Sequence, residues 1–332
     1  MPMALRTAMK GLAALAMALS APVAIAAPDI SKIDLAAERQ AIERFQSYDQ
    51  RLQDIGWKLV TTNAVFCDNP VPVIGLQLQD MASYGEPGIA RAALSISGDF
   101  AVQTAAKGSP AALSGHFPAN REVSRIGALD PNTRPAGKRM DWERLEWVHD
   151  HIDAELSRAG FVQLAFPNGE PVMLKAIPAC RTRFTLESGS SRAVASGEVV
   201  LLGTSFRAFS YEEPLLAAAI AHELAHNILG HRVWLEARGE KKRDVRKAER
   251  EADRLMPWLL ANAGYDPSAA IRFIERYKPD TGGVLFVKGT HDSWKSRAAK
   301  IREELPLVNQ AMEAHGKADW RTGFSREIGP QT

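Results

Sequence analysis

Apolar residues recur at helical spacing early in the chain, at Ile33, Leu35, Ala36, Ile42 and Phe45. The pattern predicts one N-terminal helix within residues 27–56, stopped by Gly56. From 57 to 185 the texture changes to short β-type runs such as WKLV, PVIGLQL and DFAVQTA, broken by Gly, Pro and Asn. Phe161–Phe166 and Val172–Ile177 alternate on either side of Asn168-Gly169, which predicts a β-hairpin closed by a type I′ turn. Just before it, Leu145, Val148, Ile152 and Leu156 form one stripe of a helix over Asp141–Arg158, ended by Gly160. Beyond 186 the spacing turns mainly helical, over 211–230, 241–263, 267–277 and 293–304, with one strand candidate at Gly197–Leu202. The expected fold class is α+β. A β-rich module (57–185) precedes a mainly helical domain (186–310) and a C-terminal tail (311–332).

The first 26 residues differ from the rest. Arg6 and Lys10 precede an apolar run, residues 11–22, and Ala24-Ile25-Ala26 then offers a small-residue cleavage site. This order is that of a secretory signal peptide, with the mature chain starting near Ala27 in the periplasm. The apolar run is shorter than the roughly 20 residues of a bilayer crossing, and no other segment could span a membrane.

Hydrophobic residues make up 45% of the chain and charged residues 24%, which excludes a disordered protein. Lys plus Arg number 41 against 39 acids. Loss of residues 1–26 removes two basic residues and no acid, so the mature chain is formally neutral and has no charge surplus for nucleic acid. Export also bears on the two cysteines, Cys67 and Cys180, which favour a disulfide over two reduced buried thiols.

The candidate chemistry lies in residues 217–231, AAAIAHELAHNILGH. His222 and His226 are four apart, so on a helix both imidazoles project from one face and can chelate one ion. Glu223, one residue on, is placed to act as general base on water rather than as a ligand. With eight histidines in the chain, H-E-x-x-H arises by chance at roughly 0.01 per chain, so the motif carries information. The surrounding residues are apolar almost all round. Burying two histidines and a glutamate there without partners is costly, and a metal relieves that cost; the alternative is satisfied core histidines.

A catalytic zinc site needs a third protein ligand and an open position. Gly230 and His231 miss the register of H-E-x-x-H-x-x-G-x-x-H, so the candidate passes to EREAD, residues 249–253. Glu249 is placed to bind zinc and Asp253, one turn on, to orient an imidazole. Glu251 points about 200° away from Glu249 and reads as an ordinary partner of Lys247. His231 reads as a cation at a helix C-terminus, and His149 and His151 as solvated.

H-E-x-x-H with E-x-x-x-D resembles the gluzincins. More narrowly, LLAAAIAHELAHNILGH, AEREADRL, ANAGYDP and Thr290-His291-Asp292 with Arg297 resemble bacterial periplasmic metallopeptidases related to the CAAX prenyl endopeptidases, over about residues 190–305. The resemblance implies a zincin-type domain with one Zn2+ per chain, acting on peptide or unfolded protein. It places His291 and Arg297 near the metal, although Asp292 stands where that family carries proline. For His291 it implies a transition-state stabiliser or displaceable ligand, against a surface loop histidine. For Arg297 it implies an oxyanion contact, against simple pairing with an acid. It also likens Ala195–Leu202 to an edge strand over which substrate is laid. Ile74–Leu78 and Phe100–Ala112 resemble parts of a PDZ-like domain, with Ile74-Gly75-Leu76 matching a peptide-carboxylate loop. Two classes of function follow: an endopeptidase on envelope proteins, or a zinc-stabilised binding or chaperone-like protein using its PDZ-like module.

Overall fold

The computed structural model describes residues 29–137, 140–277 and 292–328. The leader read at residues 1–26 lies outside them, as do Thr290 and His291. In chain order the elements are α1 (Leu35–Thr62), β1 (Val71–Val73), β2 (Leu76–Asp80), α2 (Pro87–Leu94), β3 (Phe100–Ala105), α3 (Pro110–Ser114), β4 (Arg125–Ile126) and α4 (Glu143–Ala159). Then come β5 (Phe161–Ala165), β6 (Val172–Lys175), β7 (Ile177–Ala179), β8 (Arg183–Glu187), β9 (Ala193–Ala195) and β10 (Val199–Gly203). The remainder is helical: α5 (Glu213–Ile228), α6 (His231–Ala237), α7 (Lys242–Asn262), α8 (Ala269–Arg276), α9 (Trp294–His315) and α10 (Trp320–Gly323). The chain is thus mixed α+β.

Helix α1 starts where the Asp34 carboxylate accepts from the Ala36 and Ala37 amides, satisfying two of the first-turn donors. It does not stop at Gly56. A Cβ there would lie 2.5 Å from the Phe184 ring, so the glycine marks a close approach of helix to strand β8. The run read as a strand, WKLV, is the continuation of this helix, with Trp57, Leu59 and Val60 buried. Asn63 caps it, donating to Leu59 O and to Leu259 O of α7.

Among the described residues two large hydrophobic cores and a small one, Ile42, Met81, Ala90 and Leu94, are buried; of the two large ones α4 serves one and α1 the other. The lesser of the two large cores unites Leu76 and Leu78 of β2, Phe100 and Val102 of β3, Val148, Ile152 and Leu156 of α4, and Leu164 of β5. The larger joins Leu52 and Leu59 of α1 to Phe184, Val200 and Leu202 of the sheet β8-β10-β9 and to α5, α7, α8 and α9. In that sheet β10 runs parallel to β8 and antiparallel to β9. The stretch likened to an edge strand, Ala195–Leu202, therefore runs from the last residue of β9 through a turn into the central strand β10, and the edges of the sheet are β8 and β9.

Strands β5 and β6 pair as expected, but Leu164↔Val172 is their last pair and β5 ends at Ala165, so residues 166–171 form a loop longer than a two-residue turn. Gly169 has φ +117° while Asn168 does not adopt positive φ, which rules out type I′. Pro167 and Pro171 lack the amide donors a tighter ladder would need. Further on, α9 runs past residue 304 through Pro306 to His315, and Ala318, Trp320, Phe324 and Ile328 are buried. The tail read at 311–332 is thus packed on the helices as far as it is described.

Cys67 and Cys180 are bonded across a sequence separation of 113. The bond lies beside the β1–β7 pairing, whose register starts at Val71↔Ala179, and ties both ends of the β-rich segment together. Closing a loop of that length contributes about 4–5 kcal/mol in the chain-entropy model.

Asp49 of α1 is buried where the helix meets β3. Burial pushes its carboxyl from 3.8 up to about 6, against hydrogen bonds from Gln53 and Gln103 that favour the charge. Its protonated form is the one the fold prefers, so this contribution to stability is present below about pH 4 and is lost as pH rises through about 6. Asp49→Asn is expected to flatten the pH dependence across that window by on the order of 2–3 kcal/mol, since each tenfold change in proton affinity is worth about 1.4 kcal/mol. Urea unfolding of both proteins at pH 4 and pH 7 measures it; parallel pH profiles would contradict it.

Candidate metal centre

Helix α5 opens with Pro214 in its first turn and then buries Leu215 through Ala225 without interruption. A helix buried on all sides carries His222 and Glu223 inside with it, at 4% and 5% exposure. Helix α7 packs against α5 and brings Glu249 to the same face.

Three donor atoms converge. His222 Nε2 lies 3.3 Å from His226 Nε2 and 3.2 Å from Glu249 Oε2, and His226 Nε2 lies 3.7 Å from the same oxygen. Ligands about 2.0–2.1 Å from a tetrahedral zinc sit roughly 3.3–3.4 Å apart, so the donor set and its spacing fit that ion.

The imidazoles are oriented from behind. His222 Nδ1 is 3.1 Å from Asp253 Oδ1. Asp253 in turn accepts two 2.6 Å hydrogen bonds from Arg297, both residues being buried. Burial alone would raise the Asp253 carboxyl, but the Arg297 guanidinium and His222 hold it well below the usual carboxylate range. Burial likewise opposes charge on His222, yet hydrogen bonds with Asp253 and Glu249 push it up to about 10. An imidazole held in so negative a pocket is a site for a proton or a cation.

On the other side, His226 Nδ1 is 2.9 Å from His231 Nδ1, and His231 Nε2 is 3.1 Å from Glu251 Oε2. His231 is not a helix C-terminal cation. Gly230, at φ +68°, breaks the chain after α5 and starts α6, which turns His231 back onto His226. Burial pushes its imidazole down to about 4, against Glu251. Nor is Glu251 a surface partner of Lys247: it is fully buried and receives Arg326 and the Ile328 amide besides His231. Burial would raise its carboxyl, but these donors hold it below its ordinary value.

The sequence-derived ligands His222, His226 and Glu249 thus come together, with Asp253 behind His222 and Glu223 buried at the next position of α5. Arg297 sits in the same place but faces Asp253 in a bidentate pair, so its position is that of the acid-pairing alternative. His291 lies outside the described residues. His149 is not solvated. Its Nε2 accepts from the Leu78 amide at 3.3 Å, and burial pushes it down to about 4. His151 is half-buried. Spacing missed His231, Glu251 and Arg326; the glycine immediately before His231 was the available sign that the helix turns back there.

Comparison with protein-family models, with curated proteins and with solved structures finds no match for this chain. Among the described residues no helix is long and apolar enough to cross a membrane.

Glu249→Ala is expected to lose zinc on dialysis, whereas Lys247→Ala, two residues away on the exposed side of α7, keeps it. Metal analysis after dialysis decides. Full zinc retention in Glu249→Ala would remove Glu249 from the ligand set.

Proposed function

We propose that this chain is a zinc metalloendopeptidase of gluzincin type, with a zincin-like arrangement in its helical half. The observation that carries the reading is the convergence of His222 Nε2, His226 Nε2 and Glu249 Oε2 within 3.7 Å, with Glu223 one residue along the same buried helix. His222, His226 and Glu249 would hold the ion, which supplies Lewis acidity that polarises a carbonyl and acidifies water. Glu223 takes the proton from the attacking water at its carboxylate and returns it to the leaving amide nitrogen. Asp253 orients the His222 ring, and Arg297 keeps Asp253 charged and in place.

Strand β9 is one of the two edges of its sheet, and Gly197 of the β9–β10 turn donates to Asn227 Oδ1 of α5 at 2.8 Å. That bond ties the edge to the metal-binding helix. An extended peptide pairing with β9 would be delivered beside the site, which suits an unfolded or extended stretch of an envelope protein. The Cys67–Cys180 bond supports an exported, oxidising location, in keeping with a periplasmic enzyme.

The second class, a zinc-stabilised binding protein, draws on the cleft between β2 and α4, lined by Ile74, Gly75, Leu76, Ile152 and Leu156. His149 already takes up the Leu78 amide that a bound strand would use there. Strand capture in the PDZ manner therefore needs His149 to move first, and catalysis is the stronger reading.

Digestion of a peptide library by the wild type, with and without a chelator, tests the activity. Glu223→Gln is expected to lower cleavage by at least about 100-fold while zinc content is unchanged. Undiminished cleavage by that variant would overturn the enzyme; peptide binding without any cleavage by the wild type would favour the second class.

A further inference from the structure

Glu251 lies one helical face away from the ligand Glu249, is fully buried, and is bound from both sides. On one side stands His231, within hydrogen-bonding distance of His226. On the other is the C-terminal segment: Arg326 Nη2 donates to Glu251 Oε2 at 2.9 Å and the Ile328 amide to Oε1 at 2.7 Å. The same Arg326 nitrogen donates to Leu229 O, at the end of α5, at 3.0 Å. Glu327 is held between Arg250 and Arg254 of α7, so the segment is fastened along that helix at successive residues.

The direction of these hydrogen bonds has only one solution compatible with metal binding. For His226 to offer a lone pair at Nε2, its proton must sit on Nδ1. His231 Nδ1 must then accept, which puts the His231 proton on Nε2, facing Glu251. A carboxylate that receives Arg326 and a backbone amide is an acceptor for His231 as well. Without it, His231 is free to carry its proton on Nδ1 and donate the other way, which forces the His226 proton onto Nε2 and spoils the ligand.

Resting on the metal-site reading above, we propose that His231 and Glu251 are positioning residues that fix the ligand tautomer of His226, and that the C-terminal segment Phe324–Ile328 holds them there, so that metal and segment bind cooperatively. Coupling of this kind is reciprocal: whatever the docked segment adds to metal affinity, the metal adds to docking of the segment.

The test uses the full mature chain and zinc alone as probe. Zinc dissociation constants are measured by chelator competition for the wild type, Arg326→Ala and Glu251→Gln. Both variants are expected to bind zinc about 10- to 100-fold more weakly. Cobalt substitution should give a ligand-field spectrum altered from the wild type in each, a change that a purely structural role would not produce. Arg326 is partly exposed, so its loss should leave the apo protein folded. Should Glu251→Gln fail to fold, hydrogen exchange on the wild type needs no variant, and the Ile328 amide is expected to exchange more slowly with zinc than without. Unchanged zinc affinity in Arg326→Ala, or equal Ile328 exchange in apo and zinc-loaded protein, would overturn the inference and leave the metallopeptidase standing. A wild type that binds no zinc would overturn both.

Discussion

Two imidazoles and a carboxylate meet where an apolar helical core reaches the surface, His222 buried and His226 and Glu249 partly so, and much of the arrangement of the helical half compensates them. Isolated charges cannot be kept in such a medium without partners. The ion proposed for the site would satisfy the three inner atoms, but each imidazole has a second nitrogen facing away. Those two nitrogens start the two outward chains of hydrogen bonds, through Asp253 to Arg297 and through His231 to Glu251 and Arg326. Each chain ends on an arginine brought by a different late element, α9 or the C-terminal segment. Helix α9 and the C-terminal segment therefore pack on α7 for an electrostatic reason as well as a hydrophobic one.

The β-rich part connects to this core through α1. Helix α1 contributes Leu52 and Leu59 to the larger core, and its buried Asp49 hydrogen-bonds with Gln103 of β3 on the other side. Gly56 lets α1 lie directly on Phe184, and the disulfide closes the β-rich segment near its two ends. The edge strand β9 and the helix α5 thus hold a fixed relation, through Asn227 and Gly197, that does not depend on the module's own cleft.

The residues of the candidate metal site were readable from spacing because spacing is what places them: a four-residue interval on a helix puts His222 and His226 on one face whatever surrounds it. The choice of Glu249 over Glu251 could be made for the same reason. The role of Glu251 could not, because it is set by Arg326 and Ile328, 75 and 77 residues later. A local rule paired it with Lys247, and tertiary burial overrode that rule. Gly56 read as a stop because a glycine in a helix is usually a cost, and only the Phe184 ring explains why this one is kept. The β5–β6 hairpin formed as expected, but its two-residue Asn-Gly turn did not, since Pro167 and Pro171 flank it and deny the ladder its donors. His149 was misjudged because the partner amide, Leu78, lies 71 positions away. The expected helices of the C-terminal half, by contrast, were bounded to within a few residues wherever an apolar stripe ran uninterrupted, as in α5 and α7.

Anomalous scattering from crystals of the zinc-loaded protein, recorded on both sides of the zinc absorption edge, tests the central claim most directly. The account predicts one peak bonded to His222 Nε2, His226 Nε2 and a Glu249 carboxylate oxygen, with Glu223 unbonded to it. A peak held by other residues, or none at this position, would contradict it.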